Sequence, residues 1–319
     1  MSINVARTEN GWWVEHSGRL TRILTDAMTT RELLADRPAV GKAASAPDLE
    51  GPVLADVDLL SPVTAPARVV AQMVNYRSHA HDSGFNPDAV PPAFFRKSSG
   101  SVCGPTDDIR CPEHVRLLDY EVELGLVIGH RIDVGEAVAE DELADVVAGI
   151  VVANDISARD IQLTRTQFYE SKSYPTFTPV GPFLTLVDGE ELAGLERLRL
   201  TLSVNGEVRQ NSTVADMIVK PARALTLLAR FQALDPGDLL LTGTPGGTAL
   251  KSPGPVAEKI GALLPPAVKW KAFFKRQAGN PNYLKDGDVV AATITDPVRG
   301  IDLGRQSNVV RGQARRAAL

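Results

Sequence analysis

Three acidic residues alternate with other side chains, mostly apolar, in the stretch LDYEVELGLVIG, which covers residues 118–129. Side chains two residues apart in a β-strand point to the same face, so Asp119, Glu121 and Glu123 would share one face. Half-buried antiparallel strands show the same alternation with their acids in water, which is one interpretation of the stretch. The other is a site for a hard divalent cation such as Mg²⁺, because such ions bind carboxylate oxygens and no Lys or Arg in the stretch offsets the repulsion. Glu121 and Glu123 would have Cα atoms roughly 6.5 to 7 Å apart, so both side chains could reach one ion.

Two further groups of residues could belong to such a site. Asp155 follows the apolar run IVVAN, where a strand would pass into a loop, and is either another carboxylate ligand or the N-cap of the next turn. In NYRSHAHD, His79 and Asp82 are three residues apart and would lie on one helical face. A carboxylate beside an imidazole fixes its tautomer, which is typical of a general base, although a surface pair without function has the same spacing.

The elements that must position these residues are mostly strands. Apolar runs separated by turn residues follow Pro66, and VNGE predicts a two-residue hairpin at Asn205 and Gly206. DELADVVAG predicts a helix that begins at Asp141 and ends at Gly149. Because strands and helices do not alternate regularly, an α+β fold with a mixed or rolled sheet is expected rather than a doubly wound sheet. Residues 1–62 differ in pattern and are predicted to form a small N-terminal domain or arm, followed by a larger domain at 63–319.

The composition limits the classes of protein to consider. Of 319 residues, 44% are hydrophobic and 23% charged, and the formal net charge is −5. This composition is that of a globular protein, and its mild acidity disfavours nucleic acid as a partner. No apolar run reaches the roughly 18 residues of a membrane span, and the N-terminus lacks the layout of a signal peptide. The two cysteines, Cys103 and Cys111, fit a reducing compartment, so a cytoplasmic protein is expected.

Seven motifs in order resemble the fumarylacetoacetate hydrolase family, in particular its acylpyruvase-like bacterial members. They are NYRSHAHD, PPAFFRK, LDYEVELGLVIG, VVANDISARDIQ, ESKSYPTFTPVGP, SVNGEVRQNSTVADMI and LLLTGTPGG. Together they extend from about Pro66 to Val310. The resemblance implies the family's mixed β-roll or sandwich-like catalytic fold and a metal-dependent activity on a small oxo acid.

The resemblance also implies three groups of functional residues. Three carboxylates match the family's ligands for Mg²⁺ or Mn²⁺: Glu121, Glu123 and Asp155. Four residues match positions that activate water or polarise the substrate: His79, Asp82, Lys172 and Gln162. Four others match substrate contacts or the pocket entrance, where Lys97 is expected: Arg159, Thr244, Lys97 and Tyr76. Asp119 is expected either to contact the metal ligands without binding the metal itself or to face solvent.

The sequence departs from the family pattern at two places. Asp82 stands where many members carry Glu, which shortens the side chain and puts its reach to His79 in question. Residues 248–284 replace what is usually a short link, and AVKWKAFFKRQ within them predicts an amphipathic helix. This insertion could pack on its own domain, pack across a dimer, or cover the mouth of a pocket.

Three hypotheses about function follow. The first is a metal-dependent hydrolase that cleaves a C–C bond in a 1,3-dioxo acid of the acylpyruvate type, with His79 and Asp82 activating water. The second is a decarboxylase, isomerase or dehydratase that acts on a 2-oxo acid through an enolate. The third is a non-catalytic binding protein on the same fold. A homodimer is what the family resemblance suggests, and ligand type alone does not separate Mg²⁺ from Mn²⁺.

Overall fold

The computed structural model describes residues 2–165, 167–252 and 265–312. Its strands are β1 (Ile3–Thr8), β2 (Gly11–His16), β3 (Arg19–Arg22), β4 (Val69–Met73), β5 (Ala93–Lys97), β6 (Val102–Cys103), β7 (Ile109–Cys111), β8 (Leu118–Asp119), β9 (Val122–Ile128), β10 (Val147–Asn154), β11 (Ser157–Ala158), β12 (Thr178–Pro179), β13 (Leu184–Leu186), β14 (Arg199–Val204), β15 (Glu207–Thr213), β16 (Leu239–Leu241), β17 (Val289–Asp296) and β18 (Ile301–Gly312). Its helices are α1 (Thr30–Ala35), α2 (Arg37–Ser45), α3 (Arg77–Asp82), α4 (Leu143–Val146), α5 (Arg159–Gln162), α6 (Tyr169–Lys172), α7 (Gly189–Ala193), α8 (Pro221–Ala229) and α9 (Pro266–Ala278). Within this part of the chain, no helix has the length and apolar character that a membrane crossing requires.

Two sheets dominate the fold. One has nine strands in the order β3-β2-β1-β13-β10-β9-β16-β4-β5, and the other has five in the order β15-β14-β17-β18-β7. The pairing is mixed, since β4 and β16 run parallel whereas β9 and β10 run antiparallel. The α+β class and the mixed sheet architecture predicted from the sequence are therefore confirmed.

Both faces of the larger sheet pack against apolar cores. Its central strands therefore carry apolar side chains on both sides. From β9, Leu124 and Leu126 pack into the core shared with the five-stranded sheet, whereas Val127 packs into a second core with residues of β1 and β2. Gly125 lies next to Glu123 and has no space for a side chain, because an added Cβ would lie 2.6 Å from Val151 Cγ2. Tight packing on this face fixes the backbone that carries Glu123.

The N-terminal strands extend the nine-stranded sheet. β1 pairs with β13 in an antiparallel register in which Ile3 is opposite Leu186, and α1 begins with a capping box between Thr29 and Glu32. Trp12 and Leu33 share a core with residues of β10 and β13. Where a domain boundary would fall, near residue 62 or elsewhere, stays a prediction.

Two sequence-based expectations about local structure have different outcomes. The hairpin is confirmed, with positive φ angles of 52° at Asn205 and 83° at Gly206, as a two-residue turn requires. The helix predicted from Asp141 to Gly149 is wrong in extent. Only Leu143–Val146 is helical, because the following residues pair with β9 and β13 as β10. Tertiary pairing here overrides the local pattern.

The stretch 118–129 is also interrupted, whereas the alternation predicted one continuous strand. β8 ends at Asp119 and β9 begins at Val122. Side chains bind the backbone between them, since the amide of Tyr120 donates to Asp119 Oδ1 (2.9 Å) and that of Glu121 donates to Asn154 Oδ1 (2.9 Å). The strand is therefore broken next to the acids of interest.

The insertion contains the predicted amphipathic helix, α9, while residues 253–264 of the insertion lie outside the described residues. Trp270, Phe273 and Phe274 form a cluster of rings with centroids 5.6 to 5.8 Å apart. Phe274 packs against the main core, whereas Trp270 is 39% exposed. Helix α9 thus packs on its own domain through Phe274.

Candidate metal and catalytic site

Three carboxylates converge where β9 begins and β10 ends. Glu121 precedes β9, Glu123 lies within it and Asp155 follows β10, and one oxygen from each lies within 4.8 Å of the others. Antiparallel pairing causes this, because Glu123 is opposite Ala153 and the Asp155 amide donates to the Glu121 carbonyl at 2.8 Å. All three are buried, with exposed fractions of 5%, 1% and 0%. The interpretation of Glu121 and Glu123 as solvated acids on the wet face of a strand is therefore wrong.

Cationic side chains from three other segments contact two of these acids. Lys172 Nζ donates to Glu121 Oε2 and Asp155 Oδ2, both at 2.6 Å. Lys97 donates to Asp155 and to the carbonyl of Phe177. Arg159 donates from NH2 to Glu121. The stretch 118–129 has no basic residue of its own, so the fold supplies the counter-charges from elsewhere.

Glu123 receives no such ion pair among the described residues; its Oε2 accepts a hydrogen bond from the Gly243 amide at 2.6 Å. Burial raises the pKa of Glu123 well above its ordinary value, and the charges of Asp155 and Glu121 add to the increase. Burial acts the same way on Glu121, but the charges of Arg159 and Lys172 outweigh it and lower the pKa of that carboxyl. One carboxylate of the three therefore lacks a compensating positive charge.

This arrangement fits a divalent cation. Mg²⁺ and Mn²⁺ bind carboxylate oxygens, and three of these converge in a buried position. A cation beside Glu123 would supply the missing positive charge and so favour the ionised carboxylate. The residues that would hold it are Glu121, Glu123 and Asp155.

Asp119 belongs to the same charge network, and the expectation that it could face solvent is wrong. It is fully buried and accepts a hydrogen bond from Arg159 Nε at 2.8 Å. It also accepts from the amides of Ala249 (2.8 Å) and Leu250 (3.1 Å). Burial lowers the pKa of Arg159, but the charges of Glu121 and Asp119 raise it above the ordinary value overall. Asp119 therefore holds the guanidinium that contacts Glu121.

His79 lies in α3 with 9% of its surface exposed, and its Nδ1 atom has no hydrogen-bond partner in the described part of the chain. Burial lowers the pKa of His79 below its ordinary value; the charge of Glu121 opposes this, and those of Arg159 and Lys172 add to it. Burial therefore favours the neutral form of the imidazole. A neutral imidazole close to a carboxylate cluster can accept a proton from a bound molecule.

Among the described residues, Asp82 makes no side-chain hydrogen bond to His79. Its Oδ2 accepts a hydrogen bond from the Gly247 amide at 2.9 Å and lies 3.6 Å from Lys251 Nζ. The carbonyl oxygen of Asp82 accepts from the Ser252 amide at 2.8 Å. The side chain is thus directed to residues 247–252, which we call the 247–252 loop, and the His79–Asp82 dyad stays a prediction.

The remaining sequence-predicted residues all lie close to this cluster. Gln162 Oε1 accepts from Arg159 NH1 at 2.8 Å, and Thr244 Oγ1 donates to the Val122 carbonyl at 2.9 Å. Tyr76 precedes α3 and is fully buried; burial and the charge of Glu123 raise the pKa of its hydroxyl. Lys97, which was expected at the entrance, is instead buried against Asp155. Their roles as substrate contacts stay predictions.

Sequence reasoning did not identify Gln210, a buried side chain that supports the site. Gln210 of β15 accepts from the Val122 amide (3.0 Å) and donates to Thr244 Oγ1 (2.9 Å) and to the Pro245 carbonyl (2.8 Å). It therefore joins the start of β9 to the loop after β16. Its place in SVNGEVRQNST gave no signal of this role, and in the structure Gln210 is the one buried residue of a strand whose other residues are exposed or half-buried.

Comparisons with known proteins show the family to which the chain belongs. Residues 68–311 match the family described as fumarylacetoacetate (FAA) hydrolase C-terminal. The chain is 35% identical over 230 residues to an oxaloacetate tautomerase of Xenopus laevis, "fahd2, mitochondrial", a match that covers 71% of this chain and 70% of that protein.

Two solved structures resemble the whole chain. One is a probable 2-hydroxyhepta-2,4-diene-1,7-dioate isomerase from Mycobacterium abscessus, with a TM-score of 0.74, 29% identity, and 98% and 100% of the two chains covered. The other is the fumarylacetoacetate hydrolase of Exiguobacterium antarcticum, with a TM-score of 0.69, 26% identity, and 98% and 100% covered. The protein that carries this buried carboxylate cluster is a member of the fumarylacetoacetate hydrolase family.

Proposed function

We propose that the protein is a divalent-metal-dependent enzyme that interconverts the keto and enol forms, or the double-bond isomers, of a small 2-oxo acid. The observation that carries the proposal is the buried cluster of Glu121, Glu123 and Asp155, which lacks one positive charge and lies beside the neutral His79. The similar tautomerase and isomerase support it, because both names describe proton relocation within one molecule.

The charges of the site favour an acidic substrate. Asp119 joins the three clustered acids, and these four carboxylates face three cationic side chains, Lys97, Arg159 and Lys172. Adding a divalent cation leaves an excess of one positive charge, which would attract the carboxylate next to the oxo group of a 2-oxo acid. When bound, Mg²⁺ or Mn²⁺ supplies a Lewis acid that stabilises negative charge on an enolate oxygen.

His79 would move the proton. Breaking the C3–H bond of the substrate transfers that proton to the neutral imidazole, and the electron pair forms the C2–C3 double bond. The imidazolium then returns a proton to the C2 oxygen, which gives the enol, or to a different carbon, which gives an isomer. Lys172 and Arg159 keep Glu121 ionised throughout, since their charges lower its pKa. Burial excludes bulk water from this transfer.

Hydrolysis of a C–C bond is the second candidate. It is favoured by the likeness to the Exiguobacterium hydrolase and by the position of Asp82 in the same short helix as His79. Water activation by a dyad would need Asp82 to contact His79, whereas its Oδ2 accepts a hydrogen bond from the Gly247 amide. The observed contacts therefore favour proton relocation over hydrolysis as the reaction.

A direct assay separates the candidates. Purified protein is loaded with Mg²⁺ or Mn²⁺, and the interconversion of enol and keto oxaloacetate is followed by ultraviolet absorbance, with cleavage of an acylpyruvate panel measured in parallel. We expect metal-dependent tautomerisation that EDTA abolishes. Acylpyruvate cleavage without tautomerisation would favour the hydrolase instead, and no turnover of either kind would favour a non-catalytic role. Light scattering would test the homodimer that the family resemblance suggests.

A further inference from the structure

We propose that Asp82 and Asn280 are positioning residues. They hold the 247–252 loop, and the amides of that loop hold the Asp119–Arg159 pair against Glu121. The kinetic part of this inference rests on the proposed function, whereas its structural part and its cation-binding part do not. The inference gives Asp82 a role other than partner of a base, and it assigns a role to the insertion.

The first step is the contact between α3 and the loop. Asp82 accepts from the Gly247 amide at 2.9 Å, and Ser78, one turn earlier, accepts at Oγ from the Gly246 amide at 3.0 Å. Gly247 has a φ of 103°, and an added Cβ would lie 2.1 Å from the Arg209 carbonyl oxygen. The loop therefore has little freedom here, and α3, which carries His79, is attached to its first residue, Gly247, and to the residue before it, Gly246.

The second step connects the insertion to the same loop. Asn280 follows α9 and donates from Nδ2 to the Ala249 carbonyl at 2.8 Å. The amide of the same residue, Ala249, donates to Asp119 Oδ1 at 2.8 Å. The amide of Leu250 donates to Asp119 Oδ2. Asn280 thus fixes the peptide segment whose two N–H groups bind a fully buried carboxylate.

The third step leads to the cation cluster. Asp119 binds Arg159 Nε at 2.8 Å, and Arg159 NH2 contacts Glu121. Both residues of the Asp119–Arg159 pair are buried, so a lost amide donor would not be replaced by bulk water. Residues that hold metal ligands indirectly typically change metal affinity about 10- to 100-fold when removed. Replacing Asn280 should therefore lower the affinity of the cluster that contains Glu121 for a divalent cation.

Two substitutions at Asp82 separate positioning from base chemistry. Asp82→Asn keeps a side-chain oxygen that can accept from the Gly247 amide, whereas Asp82→Ala removes it. A hydrogen-bonded base partner needs the negative charge, so both variants would fail equally in that role. Asn280→Ala tests the insertion, and Asn211→Ala, which alters an exposed asparagine bound to Arg199, is the matched control.

Three readouts are needed. Hydrogen–deuterium exchange of peptides that cover residues 246–252 reports the loop, titration calorimetry with Mn²⁺ reports the cluster, and the pH profile of kcat/KM reports His79. We expect Asp82→Ala and Asn280→Ala to exchange faster in the loop and to bind Mn²⁺ about 10-fold more weakly. Asp82→Asn should keep wild-type loop protection and leave the acid limb of the pH profile where it is.

Each part of the proposal is contradicted by a different result. If Asp82→Asn matches Asp82→Ala in Mn²⁺ affinity and shifts the acid limb, Asp82 acts through its charge on His79 and the inference is overturned. If Asn280→Ala exchanges like Asn211→Ala, the insertion does not hold the loop. If the exchange and Mn²⁺ results hold while the wild type converts no 2-oxo acid, the proposed function fails and the positioning role stands.

Discussion

Two pairs of residues with similar sequence spacing have different arrangements in the fold. Glu121 and Glu123, the strand pair, lie two residues apart and their carboxylates converge with Asp155 within 4.8 Å. His79 and Asp82, the helix pair, lie three residues apart in α3, yet Asp82 binds the Gly247 amide instead of the imidazole. Pairing with β10 and packing on both sheet faces fix Glu123, and the backbone of Glu121 is fixed by hydrogen bonds from its amide to Asn154 and from the Asp155 amide to its carbonyl. The helix pair lies in a six-residue helix whose contacts are made by a distant loop.

The contrast shows when sequence spacing determines a site. Inside a buried strand, the alternation of side chains and the partner strand together leave few orientations. In a short helix at the edge of a loop, spacing places two side chains on one face but does not select their partners. Spacing predicts proximity best where tertiary packing removes the alternatives.

The strongest way to break the strand pair is Glu123→Gln. This substitution removes one of three candidate ligand charges, so we expect the affinity for Mg²⁺ or Mn²⁺ to fall at least about 100-fold and turnover to be lost with it. Because the metal-free carboxyl of Glu123 has a raised pKa, the neutral amide should leave the metal-free protein about as stable as before. Titration calorimetry and urea unfolding check both statements. Asp88→Asn, at an exposed acid, is the control, and cation affinity within a few-fold of wild type would reject the cation site.

For the helix pair, His79→Ala should lower kcat by about 100- to 10,000-fold, the usual contribution of a positioned base. Steady-state kinetics at saturating metal measure this loss. His81→Ala, which changes the exposed neighbouring histidine of the same helix, is the control. Retention of most activity by His79→Ala would remove the imidazole from the reaction.

The pH dependence sharpens the same assignment. Burial lowers the pKa of His79 from its ordinary value of 6.5, so the imidazole stays neutral and able to accept a proton into more acidic solution than an exposed histidine. We therefore expect kcat/KM to be constant near pH 7 and to fall only as the pH drops below an apparent pKa under 6.5. A profile at saturating Mn²⁺ tests this, and an acid limb above pH 6.5 would contradict it.

Lys172→Met tests whether Lys172 compensates the negative charge around the strand pair. It removes the cation that contacts both Glu121 and Asp155 and leaves buried negative charge, which typically costs about 3 to 5 kcal/mol of unfolding free energy. Added Mg²⁺ should restore part of this loss, because a ligand that binds the native state stabilises it. Urea unfolding with and without Mg²⁺ measures both effects, with Lys275→Met, at an exposed position of α9, as the control. Equal stability of Lys172→Met and wild type would show that Lys172 does not balance the acids.

The smallest effect is expected at Thr244, which the family resemblance assigns to substrate binding. Its hydroxyl is engaged by the Val122 carbonyl and by Gln210. Thr244→Val should therefore cost about 1 to 2 kcal/mol of stability, while KM changes within about threefold. Thr244→Ser, which keeps the hydroxyl, is the control. A much larger rise in KM for Thr244→Val would restore the substrate role.

The difference between the two pairs also explains what the sequence could predict. The mixed α+β sheet and the hairpin at Asn205 followed from period-two patterns and turn residues, which are local properties, whereas the grouping of Glu121, Glu123 and Asp155 was implied by the family resemblance. The counter-charges did not follow from local patterns, because Lys97 reaches Asp155 from 58 positions away in the chain. The partner of Asp82 is 165 positions away, at Gly247, and no spacing rule addresses such a contact.

The parallel pairing of β4 with β16 has a consequence for the time at which the cation cluster forms during folding. Val69 lies opposite Leu239, so two segments that are far apart in the chain must meet before this part of the sheet closes. Non-local pairings of this kind slow folding, since chain entropy is lost before the contacts are gained. Because β16 also pairs with β9, the sheet around Glu123 is complete only after this closure. A bound cation should then retard unfolding far more than it accelerates folding, which stopped-flow measurements with Mn²⁺ would reveal.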